Sequence, residues 1–150
     1  MSIRCEIVSQ DRLVYEGDAD IILVPGIEGE MGILPNHAPL LSTLKLGVLV
    51  VRYQGDEKDF TISGGVIEVQ PDLVTVLADS AENVMEIDIA RAEAAKRRAE
   101  EILAQGPGPD TDSYLNLEAA LRRSNLRLEA VRRFRGQRAP SSGKGQEEPS

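Results

Sequence analysis

The chain has 150 residues, enough for one ordinary domain or two small ones. It carries 25 acidic against 17 basic residues, and the excess is uneven: residues 1–85 hold 14 acids and 5 bases, whereas residues 86–150 hold 11 and 12. An acidic first part excludes nucleic acid as its partner, because phosphate backbones need clustered Lys and Arg, and the asymmetry predicts two parts with different partners.

No apolar run approaches the ~18 residues that cross a bilayer, so direct membrane insertion is not expected. The N-terminus, "MSIRCEIVSQ", has neither the apolar core of a signal peptide nor the composition of a transit peptide, and the expectation is a cytoplasmic protein. The single cysteine, Cys5, rules out an internal disulfide and a Cys-based metal site. Its alternation with Ile3 and Ile7 puts it on the inner face of a strand, as a small buried residue.

Residues 1 to about 80 read as β-structure. "IRCEIV", "RLVYEG", "ADIILVP", "GVLVVRY", "KDFTIS", "GVIEVQ" and "LVTVLAD" are short β-branched runs separated by Gly, Pro, Asp or Ser, which predicts an antiparallel sandwich or barrel. Gly64-Gly65 and Pro71-Asp72 are expected turns between consecutive antiparallel strands. With so few aromatic residues the core must be aliphatic: Ile21, Leu23, Val48, Val50, Ile67, Val69, Val74 and Val76.

Between the early strands lies "GEMGILPNHAPLL", residues 29–41, with the only histidine, His37, framed by Pro35 and Pro39. A catalytic histidine needs a nucleophile or a partner around its ring, and the chain has no G-x-S-x-G elbow, no metal-ligand cluster and no P-loop. Gly29, Gly32, Pro35 and Pro39 instead describe a backbone held in fixed turns. Two readings stay open: a structural loop, or a rigid surface that docks on a partner. No catalytic or metal-binding residue is predicted.

The pattern changes near residue 88. "DIARAEAAKRRAEEILAQ" consists almost entirely of helix formers, with Asp88 as its cap and Ile89, Ala92, Ala95, Ala99, Ile102 and Leu103 as its small and apolar stripe. "GPGPD", residues 106–110, ends that helix. A second helix is expected from about Ser113 to Arg135, with a seam of Tyr114, Leu117, Leu121, Leu128 and Val131 interrupted at Ser124. The pair predicts an antiparallel two-helix hairpin. The domain plan is therefore a sandwich over 1–86, a helical hairpin over 87–135, and a tail, 136–150, whose composition predicts disorder.

Three stretches then resemble one family. "GIEGEMGILPNHAPLLSTLKLGVLVV", "GGVIEVQPDLVTVLAD" and "IDIARAEAAKRRAEE" are similar, in the same order, to segments of the epsilon subunit of the F-type ATP synthase, bacterial type. The likeness covers residues 1 to about 135. It implies a non-catalytic rotor subunit of the central stalk of a proton-translocating synthase, peripheral on the cytoplasmic face of the bacterial plasma membrane. The implied partners are the gamma subunit and the c-ring, with Glu30 and His37 in the loop that family members use at that contact.

The second helix bears Arg122, Arg123, Arg127, Arg132, Arg133 and Arg135, followed by Arg138. By its residues alone this is a solvated basic face, an amphipathic helix on an anionic membrane or an RNA-binding face, the last two disfavoured because the hairpin needs the apolar seam and there is no aromatic stacking platform. The resemblance implies more: that the hairpin can extend to meet the catalytic alpha and beta subunits and block ATP hydrolysis. The resemblance also implies a regulatory ATP, not a required cofactor, on the sandwich side of the folded hairpin. The residues matching that motif are Ile87, Asp88, Arg91 and Ala92, with Glu82 upstream, Arg98 on the first helix, and Arg123 and Arg127 on the second. Asp88 is equally a plain helix cap. A stand-alone ATP-sensing interaction module is the alternative function.

Overall fold

The computed structural model describes residues 1–10 and 12–135, so the expected tail, 136–150, lies outside the described residues. The first part folds into ten strands: β1 (Ile3–Ser9), β2 (Arg12–Ala19), β3 (Ile21–Gly26), β4 (Gly29–Ile33), β5 (Leu40–Leu44), β6 (Gly47–Tyr53), β7 (Asp56–Ile62), β8 (Gly65–Val69), β9 (Leu73–Ala78) and β10 (Ala81–Asn83). They form one continuous sheet in the order β10-β7-β6-β3-β5-β8-β9-β1-β2, with β4 pairing β3. β3 and β5 meet through only one residue pair, Gly26 and Leu44, and at this corner the sheet folds over to make the two layers of a nearly closed sandwich. The pairing is antiparallel throughout except between β1 and β9, which run parallel.

The layers enclose an aliphatic core of Ile3, Cys5, Ile7, Ile22, Val24, Ile33, Leu49, Val51, Ile67, Val69, Val74 and Val76, closed by Phe60, whose ring lies 5.2 Å from that of Tyr15. Cys5 is fully buried, as its alternation predicted. Desolvation pushes its thiol up to about 12, so no thiolate exists at neutral pH and the residue is a core filler.

Three sequence expectations need correction. Ile21, Leu23 and Val48 do not point into this core, and Val50, though buried, is not part of it; their neighbours Ile22, Val24, Leu49 and Val51 are. "IILVP" and "GVLVV" are apolar at every position, so the alternation that tells the inner face from the outer is missing. Second, Gly64-Gly65 does not close a hairpin: β7 pairs with β6 and β10, whereas β8 pairs with β5 and β9, so the chain crosses between layers there. Pro71-Asp72 does turn between paired strands, with Gln70 N–H donating to the Leu73 carbonyl at 2.8 Å. Third, the stretch 29–41 is not one loop. Its start is β4 and its end opens β5, and only residues 34–39 are irregular.

The second part is an antiparallel pair of helices, α1 (Ile89–Leu103) and α2 (Thr111–Ala130), the latter extended by a single wide turn over Val131–Arg135. Asp88 caps α1 by accepting the Arg91 N–H at 3.0 Å. Gly106, with φ of 81°, supplies the left-handed residue that ends α1. Asp110 caps α2, whose first residue, Thr111, lies two residues ahead of the expected start, and the Ser113 hydroxyl and amide hold the Asp110 carboxyl below the usual range. In the stripe of α1, Ala92 and Ala99 are buried, but Ile89 and Ile102 are substantially exposed. Ser124, expected as an interruption of the α2 seam, is buried.

Gly65 has φ of +117°, and a Cβ there would overlap the Leu77 carbonyl oxygen and lie 2.7 Å from Ala78 Cα. Gly65→Ala is therefore expected to destabilise the sandwich by about 2 kcal/mol or more in urea unfolding. A loss within the ~0.5 kcal/mol typical of neutral surface changes would show that β8 and β9 can separate to admit the methyl group.

Candidate ligand cleft and docking surfaces

Where α2 passes the edge of the sandwich, a cleft of about 400 Å³ remains between them. One wall is built from Arg12 at the start of β2, Thr61 and Ile62 of β7, Ser63, Ser80, and Ala81 and Glu82 around β10; the other is Ala120, Arg123, Ser124, Leu126 and Arg127 of α2. β10 is only three residues long and pairs with the end of β7, which sets Glu82 opposite Thr61. Arg123 and Arg127 are four residues apart and so share a helix face. Arg127 grips Glu82 with both arms, Nε to Oε2 at 2.7 Å and an amino nitrogen to Oε1 at 3.0 Å. Their side chains are 26% and 34% exposed, so water screens the pair less than a surface ion pair. The hydroxyls of Ser63 and Ser80 bond each other at 2.6 Å.

A second contact fastens the far end of α2. The Arg135 guanidinium donates to the carbonyls of Val84 and Ile87, at 2.6 and 3.0 Å. Both carbonyls belong to the segment that links sandwich to hairpin. Around it Val84, Ile87, Ala130 and Val131 are buried, with Val48 and Phe134 packed against them.

The sequence-predicted nucleotide residues are thus only partly assembled. Glu82, Arg123 and Arg127 meet at the cleft. Ile87 and Ala92 are buried and Asp88 is occupied as a cap. Arg91 and Arg98 stand exposed on α1 and do not line the cleft. Arg12, which does line it, escaped sequence reasoning; its one signal was being among the five bases of the acidic part.

Glu30 and His37 are not brought together either. Glu30 is exposed near the start of β4, beside a groove shared with Lys45, Arg52 and Arg133. His37 lies four residues beyond the other end of β4, half-buried, with its Nδ1 2.8 Å from the Ala38 carbonyl oxygen. Its loop is stiff: Asn36 takes φ of 63° and donates its N–H to the Pro71 carbonyl at 2.9 Å.

The outer face of the layer away from the hairpin carries an apolar row that no sequence argument identified. Strand register places Thr43, Val66, Leu77, Val8 and Leu13 side by side across β5, β8, β9, β1 and β2. Leu77 and Leu13 are 50% and 53% exposed, and Leu41 nearby reaches 73%. A row of this kind on one sheet face has the form of a protein-docking surface.

Two sequence-family profiles divide the chain at the observed boundary. "ATP synthase, Delta/Epsilon chain, beta-sandwich domain" matches residues 2–84, and "ATP synthase, Delta/Epsilon chain, long alpha-helix domain" matches residues 85–132. The chain belongs to the ATP synthase delta/epsilon family. Among curated relatives, an ATP synthase epsilon chain of Dehalococcoides mccartyi is 45% identical over 89% of this chain and 94% of its own. One from Acidithiobacillus ferridurans is 43% identical over 91% and 96%. Among solved structures, a chain of the Euglena gracilis mitochondrial ATP synthase, OSCP/F1/c-ring in rotational state 1, superposes with a TM-score of 0.70 at 28% identity, covering 87% of this chain and 81% of that one. Members of the delta/epsilon family are subunits of a larger synthase, and the chain is a non-catalytic subunit of that kind. Among the described residues no helix is long and apolar enough to cross a membrane, and no group of three or more His, Cys, Asp or Glu could hold a metal ion.

A double-mutant cycle on Glu82→Gln and Arg127→Gln should give a coupling of about 1 kcal/mol in thermal or urea unfolding, smaller at 1 M salt. Zero coupling at low salt would mean that the pair does not hold α2 to the sandwich.

Proposed function

We propose that the chain is the epsilon-type rotor subunit of a proton-translocating F-type ATP synthase, coupling c-ring rotation to the catalytic head, with its hairpin as a releasable brake on ATP hydrolysis. The observation that carries this reading is how lightly the hairpin is held. Its cluster against the sandwich has four buried residues among those described, and its polar ties are one ion pair and one arginine on two carbonyls. A hairpin so attached is suited to population shifts by partners and ligands, which act on gaps of a few kcal/mol.

The stiff sandwich supplies the docking side. The apolar row through Val66, Leu77 and Leu13 suits the gamma subunit. Glu30 and His37, at opposite ends of β4, serve the rotor contact with gamma and the c-ring. The exposed arginines of α2 and its last turn, Arg122, Arg123, Arg132 and Arg133, give the extended hairpin a basic face for acidic segments of the alpha and beta subunits. The protein works at the cytoplasmic face of the bacterial plasma membrane.

In the folded state the cleft is a regulatory ATP site. Arg123 supplies a guanidinium fork for phosphate oxygens, and Arg127 and Glu82 exchange their mutual bonds for bonds to the ligand, Arg127 to phosphate oxygens and Glu82 to amino or hydroxyl groups. Ile87, Asp88 and Ala92 shape the hinge, and Arg91 and Arg98 reach the ligand only with side-chain rearrangement. ATP bound there stabilises the folded hairpin by RT ln(1 + [ATP]/Kd) and holds the brake off. The same cleft favours a second reading, a stand-alone ATP-sensing module, which co-purification decides: a stalk subunit travels with alpha, beta and gamma.

Reconstitution of the full chain with gamma should give a stoichiometric complex, and removal of residues 87–150 from the assembled enzyme should raise ATP hydrolysis while leaving assembly intact. Failure to bind gamma overturns the stalk reading. Collapse of assembly overturns the division between docking sandwich and braking hairpin. In the assembled synthase, Glu30→Ala with His37→Ala should weaken coupling between proton flow and ATP synthesis, with the sandwich still folded by circular dichroism. Unchanged coupling and unchanged affinity for gamma and the c-ring would remove both residues from the rotor contact.

A further inference from the structure

We propose that Arg12 is the sandwich-side ligand for phosphoryl oxygens in the cleft, so that a nucleoside triphosphate bound there bridges the sandwich and the hairpin. The inference rests on the nucleotide reading of the cleft and adds a residue from the wall opposite α2.

Three guanidiniums line the cleft, those of Arg12, Arg123 and Arg127, against one carboxylate, Glu82. Arg127 already spends its fork on both oxygens of Glu82, and the two charges cancel. Arg12 and Arg123 have no ion-pair partner within 4.0 Å among the described residues. Among the described residues the cleft therefore holds two guanidiniums without an ion-pair partner, while the part of the chain that builds one of its walls is strongly acidic. Placed between two guanidiniums, a triphosphate would lose their mutual repulsion and gain charge-assisted hydrogen bonds from both sides.

The surroundings fit the rest of such a ligand. The Ser63 and Ser80 hydroxyls share one hydrogen bond, which uses one of their two protons and leaves the other to donate. Leu46, Ala81, Ala120 and Leu126 give an apolar surface for a planar base. The volume, about 400 Å³, falls in the ordinary range for small-ligand sites.

Arg12 reaches this place through local geometry. It pairs with Ser9 at the closed end of the β1–β2 hairpin, just beyond a register shift between Ile7 and Val8. Because Arg12 is on the sandwich and Arg123 is on α2, both can act on one phosphate chain only while the hairpin is docked. That requirement makes the ligand a clamp: the Arg12 contact adds affinity to the docked state alone.

The test is calorimetry on the full chain with ATP and with inorganic tripolyphosphate, comparing wild type, Arg12→Gln and Arg12→Lys, alongside ligand-free and ATP-bound melting. The expected result is a roughly tenfold or greater loss of affinity for both anions in Arg12→Gln, the size of one charge-assisted contact. Arg12→Lys should recover part of it. Ligand-free melting should not fall, and the ATP-induced rise in Tm should shrink with the affinity. Wild type that binds ATP as tightly as Arg12→Gln overturns the role of Arg12 and leaves the nucleotide reading standing. Wild type that binds no ATP at millimolar concentration overturns the nucleotide reading and this inference with it.

Discussion

The helical hairpin has little of its own to bury, and the architecture follows from that shortage. α1 offers alanines on its inner face, and α2 buries only Ser124, Ala130 and the following Val131. Two helices with so small a shared surface are marginal in water, since most helix stability in proteins comes from tertiary packing. The hairpin therefore borrows apolar surface from the sandwich. β3 and β6 provide it because they are apolar on both faces. Ile22, Val24, Leu49 and Val51 fill the sandwich core, while Leu23, Val48 and Val50 look out toward the end of α2. One pair of strands thus serves two interfaces, and only the inner one is deep.

The contrast between the interfaces sets the expected dynamics. The sandwich core is a closed aliphatic cluster with fully buried Ile, Val and Phe side chains, which resists local opening. The second cluster is small and shallow, and its neighbours are polar ties: Arg127 on Glu82, and Arg135 on two linker carbonyls. Electrostatic ties of this kind are directional and can be exchanged for ties to a ligand or a partner, which apolar packing cannot be without exposing surface. A stiff body carrying a lightly tied arm suits the rotor and brake roles proposed above.

The cleft is a consequence of the same arrangement. A helix packed on small residues leaves space beside larger polar ones, and here the space collects arginines from both sides. Its lining combines apolar side chains with three arginines, although the sandwich part of the chain is acidic.

The sequence by itself determined the two-part plan, the aliphatic core, the Asp88 cap, the break at Gly106, and the burial of Cys5. These are local features: alternation, capping chemistry and helix-breaking residues act over a few positions, and each leaves a readable pattern. It also placed Arg123 and Arg127 on one face, because helical spacing is fixed. The tertiary structure alone decided the rest. Which face of "IILVP" turns inward depends on what packs on each side, since every residue there is apolar. Whether Gly64-Gly65 closes a hairpin or crosses between layers depends on pairing with strands far away in the chain. The sharing of one cleft by Arg12 and Arg123, the pairing of Glu82 with Arg127, and the row through Val66, Leu77 and Leu13 all join residues through sheet register and helix docking. No short-range pattern records such neighbours, because the interactions that bring them together are formed only when the sandwich closes and the hairpin comes to rest on it.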